Sequence, residues 1–101
     1  MRHYEGLFIL DPVMAEDKLK EKLQNIQDGI KQFKGKVEKI EEWGQKKLHH
    51  SIKGKKEAKF YLIYFSVPRD TLGELRKLYQ LKEGILRFSI FKREGEKNGQ
   101  S

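Results

Sequence analysis

The sequence predicts an α+β fold, a ferredoxin-like βαββαβ sandwich with a four-stranded antiparallel sheet and two helices on one face. Three observations predict it. Two stretches space their apolar residues as one face of a helix, and four others are strand-like runs bounded by proline, glycine or aspartate. These six alternate as strand, helix, strand, strand, helix, strand. At 101 residues, the chain has room for a single two-layer core.

Tyr4 to Leu10 reads as the first strand, and Asp11-Pro12 stops it, because proline lacks the N–H donor and biases its predecessor away from helix. Leu19, Leu23, Ile26, Ile30 and Phe33 then recur every three or four residues, marking a helix from about Ala15 to Lys34. Gly35 is the expected helix stop. Lys36 to about Ile52 is extended, interrupted at Trp43-Gly44, with Val37 and Ile40 on opposite parities as a bulge would leave them. Lys53 to Glu57 is expected to form the turn. Phe60 to Val67 is aromatic and β-branched throughout, the strongest strand signal, and ends at Pro68. Leu72, Leu75, Leu78 and Tyr79 place a second helix over Arg69 to Leu81, capped by Asp70 or Thr71. Ile85 to Lys92 is the last strand. Residues 1–93 are thus expected to form the domain, and 94–101 a mobile polar tail.

Charge is localised. The net charge is +7, from 22 basic and 15 acidic residues, but residues 1–45 are nearly neutral at −1. Residues 46–59 carry six lysines against Glu57 alone, for +5, and residues 60–101 add +3. Clustered cations suit contact with a polyanion through counterion release, and two nearby glycines suit a flexible arm that orders on RNA. A solvated loop kept soluble by charge is equally compatible with the same run.

One sheet face should be covered by helices and the other should be polar. The second expectation fails on inspection. If Phe8, Ile63, Phe65, Phe88 and Ile90 face the helices, then Leu7, Ile9, Leu62, Tyr64 and Phe91 gather on the open face, with Arg87 beside them. An apolar cluster of that kind reads as an interaction surface.

Catalytic and metal chemistry is poorly supplied. Zero cysteines remove a disulfide scaffold, a Cys-based zinc site and a thiol nucleophile. His49-His50 and Glu41-Glu42 are adjacent on a strand and point to opposite faces. Acylphosphatase-like enzymes of this fold hold phosphate in the loop after the first strand, but here Asp11 to Asp17 carries three carboxylates and would repel an anion. No metal, cofactor, small-molecule substrate or enzymatic activity is expected. No run reaches the ~20 apolar residues of a membrane span, and the N-terminus lacks a signal-peptide pattern, so a cytoplasmic location is expected. RNA-recognition motifs share the topology, but Lys59-Phe60-Tyr61 lacks the glycine that should follow the basic residue.

Met1-Arg2-His3-Tyr4-Glu5, Leu10-Asp11-Pro12, and Gly35-Lys36-Val37-Glu38-Lys39-Ile40-Glu41-Glu42-Trp43-Gly44 followed by Lys46-Lys47-Leu48 together resemble the bacterial small-subunit ribosomal protein six family. The likeness continues through Ile52, Pro68, Glu74-Leu75 and Ile85-Leu86-Arg87-Phe88, over about residues 1–93. It implies a structural constituent of the small ribosomal subunit that binds the central domain of the small-subunit ribosomal RNA as a heterodimer with ribosomal protein eighteen. The family often reads Ala-Tyr-Pro-Ile where this chain has His49-His50-Ser51-Ile52, so the tyrosine's contacts are not transferred to His50. The expected phosphate anchors are Arg2, Lys46, Lys47, Lys53, Lys55, Lys56, Arg87, Lys92 and Arg93. The expected partner-protein surface is Leu7, Ile9, Leu62, Tyr64 and Phe91. The alternative is a self-associating ferredoxin-like regulatory domain that binds a small ligand between subunits.

Overall fold

A computed structural model describes residues 1–82 and 84–93; the expected tail, 94–101, lies outside them. In chain order the elements are β1 (Arg2–Leu10), α1 (Glu16–Gln32), β2 (Lys36–Ile52), β3 (Lys55–Val67), α2 (Leu72–Gln80) and β4 (Ile85–Lys92). The strands form one sheet in the order β2-β3-β1-β4, and each neighbouring pair is antiparallel. This is the ferredoxin-like sandwich the sequence predicts.

β1 is hydrogen-bonded on both sides, with Phe8 opposite Tyr61 on β3 and opposite Phe88 on β4. Alternation along these strands sends Tyr4, Phe8, Leu10, Tyr61, Ile63, Phe65 and Val67 into one buried cluster with Leu19, Ile26 and Ile30 of α1 and Leu75 and Tyr79 of α2. The Phe8 and Tyr79 rings meet edge-on at 5.1 Å. The Tyr79 hydroxyl donates to the Ile26 carbonyl at 2.6 Å, which satisfies a buried phenol and ties the two helices together. Burial pushes that phenol's pKa far up, so it stays a donor.

α1 ends differently from the expected glycine stop. Lys34 takes the left-handed conformation, φ 64°, while the Gly35 N–H reaches back to the Ile30 carbonyl at 2.8 Å and the Lys34 N–H to Lys31 at 2.9 Å. That pairing is a Schellman motif with lysine where glycine is usual. Gly35 is required for space: a Cβ there would lie 2.7 Å from the Ser66 carbonyl oxygen and 2.5 Å from a Val67 methyl.

β2 carries the expected bulge. Val37 pairs with Phe65 and Lys39 with Tyr64, leaving Glu38 as the extra residue, and a second irregularity falls at Trp43 between Glu42 and Gly44. The lysine-rich segment forms a hairpin whose turn is shorter than the expected Lys53 to Glu57. β3 already begins at Lys55, and only Lys53 and Gly54, φ 50° and 80°, connect the strands. Two successive positive φ values match a type I′ turn, whose twist suits a β-hairpin. Leu48 to Ser51 bulge out between the Lys47–Glu57 and Ile52–Lys55 pairs.

α2 starts at Leu72, three residues later than the sequence suggests. Asp70 adopts φ 68°, which breaks helical continuity after Pro68. Thr71 occupies the cap position but donates its hydroxyl to the Pro68 carbonyl at 2.6 Å, pinning the turn instead of capping the helix. Arg69 therefore sits in the turn and not on a helix.

These two glycine-related sites give opposite expectations. Lys34→Gly should raise stability by roughly 0.5–1 kcal/mol by relieving a positive φ. Gly35→Ala should lower it by about 1–3 kcal/mol, because the neighbouring backbone oxygen has to move. Urea unfolding of both variants checks the pair, and Gly35→Ala unfolding at the wild-type midpoint would contradict the packing.

Candidate nucleic-acid and partner interfaces

The face of the sheet away from the helices is built in rows set by strand register. Across it run Lys39, Tyr64, Glu5 and Phe91; then Glu41, Leu62, Leu7 and Ser89; then Phe60, Ile9 and Arg87. All five residues expected to form a partner surface therefore share this face. Ile9 and Leu62 are each only 8% exposed although they lie outside the helix-packed cluster. Phe91, at the β4 edge, is 57% exposed.

Polar groups hold one end of this surface. The Tyr64 ring lies beneath the Arg93 guanidinium, 4.9 Å from the ring centre, with the Lys39 ammonium at 5.7 Å. Its hydroxyl donates to Glu41 at 3.3 Å, and Glu41 also accepts from the Trp43 indole at 3.1 Å and pairs with Lys39 at 3.2 Å. Hydrogen bonds from Trp43 and Lys39 hold the Glu41 carboxyl below its usual range. Desolvation, followed by the charges of Glu41 and Glu5, pushes the Tyr64 phenol up.

The bulge residue Glu38 accepts from Arg93 at 2.7 Å and lies 3.0 Å from His3 Nδ1, bridging β2 to the ends of β1 and β4. Burial alone would raise its pKa, but the Arg93 hydrogen bond and the charges of His3 and Arg93 outweigh it, and the carboxyl is held low. Arg93, nominated as a phosphate anchor, is 16% exposed and commits its guanidinium to Glu38 and Tyr64. The contact joins residues 55 apart in the chain, which no local periodicity signals.

The remaining cations fall into three groups around the sheet rim. Arg2 and Lys92 line a cleft at one end of the sheet with Met1, His3, Arg69 and Arg93. Lys53 and Arg87 line another between α2 and β4, joined by Arg76, whose guanidinium donates to the Ile90 carbonyl at 3.4 Å. Lys47 and Lys56 line a groove on the hairpin beside Leu48, His49 and Glu57, and Lys46 lies on the same arm opposite Ala58. Lys55 turns toward Asp11 at 3.8 Å, a loose and partly exposed pair. Arg69 and Arg76 escaped sequence reasoning, since both fell within the expected second helix, where a charged residue reads as a solvent-facing position. Trp43, 45% exposed on the β2 edge, also escaped as a surface feature.

The family model described as Ribosomal protein S6 matches residues 3–92. The chain belongs to the ribosomal protein S6 family. It is 37% identical over 89 residues to the small ribosomal subunit protein bS6 of Chlamydia trachomatis, covering 88% of this chain and 80% of that protein. To the bS6 of Helicobacter pylori it is 35% identical over 97 residues, covering 96% and 68%. Among solved structures it is similar to the crystal structure of 30S ribosomal protein S6 from Thermotoga maritima, with a TM-score of 0.84 and 31% identity over 91% of this chain and 87% of that one. No helix among the described residues is long and apolar enough to cross a membrane.

The Glu38 cluster makes a specific pH prediction for this S6 family member. A carboxyl whose folded pKa is depressed contributes stability that is complete above the unfolded value and is lost as pH falls through the folded one. Glu38→Gln should therefore flatten the acid limb of a stability–pH curve while changing little near neutrality beyond a constant offset. Urea midpoints measured from pH 2 to 7 check this, and an unaltered acid limb would contradict the cluster.

Proposed function

We propose that this chain is a structural constituent of the small ribosomal subunit, located in the ribosome in the cytoplasm, and that it binds ribosomal RNA rather than catalysing a reaction. Family membership carries the ribosomal assignment. More finely, its target is the central domain of the small-subunit ribosomal RNA, bound together with ribosomal protein eighteen as a heterodimer.

The observation that best supports this division is spatial. Cations from the hairpin, from the β1 and β4 ends, and from the α2–β4 cleft ring the sheet, whereas Leu7, Ile9, Leu62 and Phe91 cluster inside that ring. Phosphates are met by the rim and position the domain without reading sequence. The apolar face offers a protein partner the desolvated centre that a specific interface needs. Self-association around a small ligand is not favoured, because these residues form a broad sheet face instead of a ligand-sized enclosure.

Binding to a central-domain RNA fragment, measured with and without protein eighteen over a salt series, tests both halves. The two proteins should bind together at least tenfold better than this one alone. Replacing Lys53 and Lys56 with glutamine should reduce the slope of log affinity against log salt by about 0.7–0.9 for each phosphate no longer neutralised. Phe91→Asp is exposed enough to fold normally and should abolish the gain from the partner. Undiminished joint binding by Phe91→Asp would contradict the open-face assignment, and a salt-independent affinity would contradict the RNA assignment.

A further inference from the structure

We infer that the cleft at the β1–β4 end of the sheet is a phosphate clamp for the RNA backbone, completed by Arg69. This rests on the RNA-binding function proposed above and adds a site and a residue to it.

Three distant chain segments build the cleft. Arg2 pairs with Val67, which places it beside the Pro68–Arg69 turn. Lys92 pairs with Tyr4, and the Arg93 N–H donates to the His3 carbonyl at 2.9 Å, bringing the end of β4 against the start of β1. The result gathers Arg2, Arg69 and Lys92 around one concavity. His3 and Arg93, which also line the cleft, are both bonded to Glu38.

Arg69 is held in place by local chemistry. The left-handed Asp70 and the Thr71 hydroxyl, bonded to the Pro68 carbonyl, fix the turn from which it projects. Less conformational entropy is lost when an anion arrives at a side chain whose backbone is already set. Two guanidiniums and an ammonium suit a phosphodiester, which each arginine can engage through two parallel N–H donors.

An extended polyanion fits better than a compact acidic ligand. Lys92 lies five residues along β4 from Arg87 in the second basic cleft, about 17 Å apart at strand rise. A rigid strand carrying cationic clefts at both ends matches a backbone with charge repeated along its length.

The full chain, bound with protein eighteen to the central-domain fragment, provides the test. Arg69→Glu should weaken RNA binding about tenfold at low salt and lower the salt slope by about 0.7–0.9, the share of one neutralised phosphate. Arg69→Lys should keep most of that slope. Because the chain has no cysteine, Gly73→Cys, at an open position on α2, can carry an iron chelate for directed hydroxyl-radical cleavage. Cuts in the RNA from position 73, and none from Gln24→Cys on exposed α1, support the clamp. Wild-type affinity and slope in Arg69→Glu, with the Lys53 and Lys56 variants still weakened, overturn the clamp while leaving RNA binding intact. Failure of the wild-type chain to bind RNA overturns both. Equal displacement of the RNA by polyglutamate at matched charge would assign the cleft to acidic protein segments instead.

Discussion

The register between β1 and β3 is the constraint on which both surfaces of the molecule depend. Phe8 lies opposite Tyr61 and Leu7 opposite Leu62, and because strand side chains alternate, a slip of one residue would exchange the two faces. Both crossovers of a βαββαβ chain carry their helices to the same side when they have the usual right-handed sense. The sheet is therefore covered once. Phe8, Ile63 and Phe65 are buried against α1 and α2, while among the described residues Leu7, Ile9 and Leu62 lie outside that helix-packed cluster. An apolar open face follows from apolar residues on both parities of β1 and β3, combined with a fold that supplies only one helical layer.

Much of this was legible in the residues. Helical spacing located α1 because Leu19, Ile26 and Ile30 face the core, and parity separated Phe8 and Ile63 from Leu7 and Leu62. The bulge at Glu38 was visible as a break in parity between Val37 and Ile40. What escaped depends on contacts between distant segments. Gly35 looked like a helix stop by conformation, but Lys34 takes the left-handed position and Gly35 answers to the backbone of Ser66. The turn looked longer, Lys53 to Glu57, because lysines carry no strand signal, although pairing with β2 extends β3 back to Lys55. Arg69 fell at the start of the range expected for the second helix, and the left-handed Asp70 sets it in the preceding turn.

Charge and apolar surface divide the remaining work. A net charge of +7 on 101 residues indicates attraction to polyanions without saying where. Folding distributes the cations around the rim, and it also removes one from service: Arg93 is drawn over Tyr64 and onto Glu38, where it braces the open face. The basic hairpin projects from the β2–β3 end, and the two arginine-containing clefts flank β4. Under the proposed function, such a layout would let RNA and a protein partner bind at once, each desolvating a different part of the surface.

Backbone amide shifts of the isotopically labelled chain, followed while central-domain RNA and protein eighteen are added one at a time, test this separation most directly. Two nearly disjoint footprints are expected. RNA should perturb amides near Arg2, Arg69 and Lys92 and along the 46–59 hairpin, whereas the protein should perturb Leu7, Ile9, Leu62, Tyr64 and Phe91. A single shared footprint, with RNA alone shifting the Leu7–Leu62 face and sparing the rim, would contradict the division of the surface.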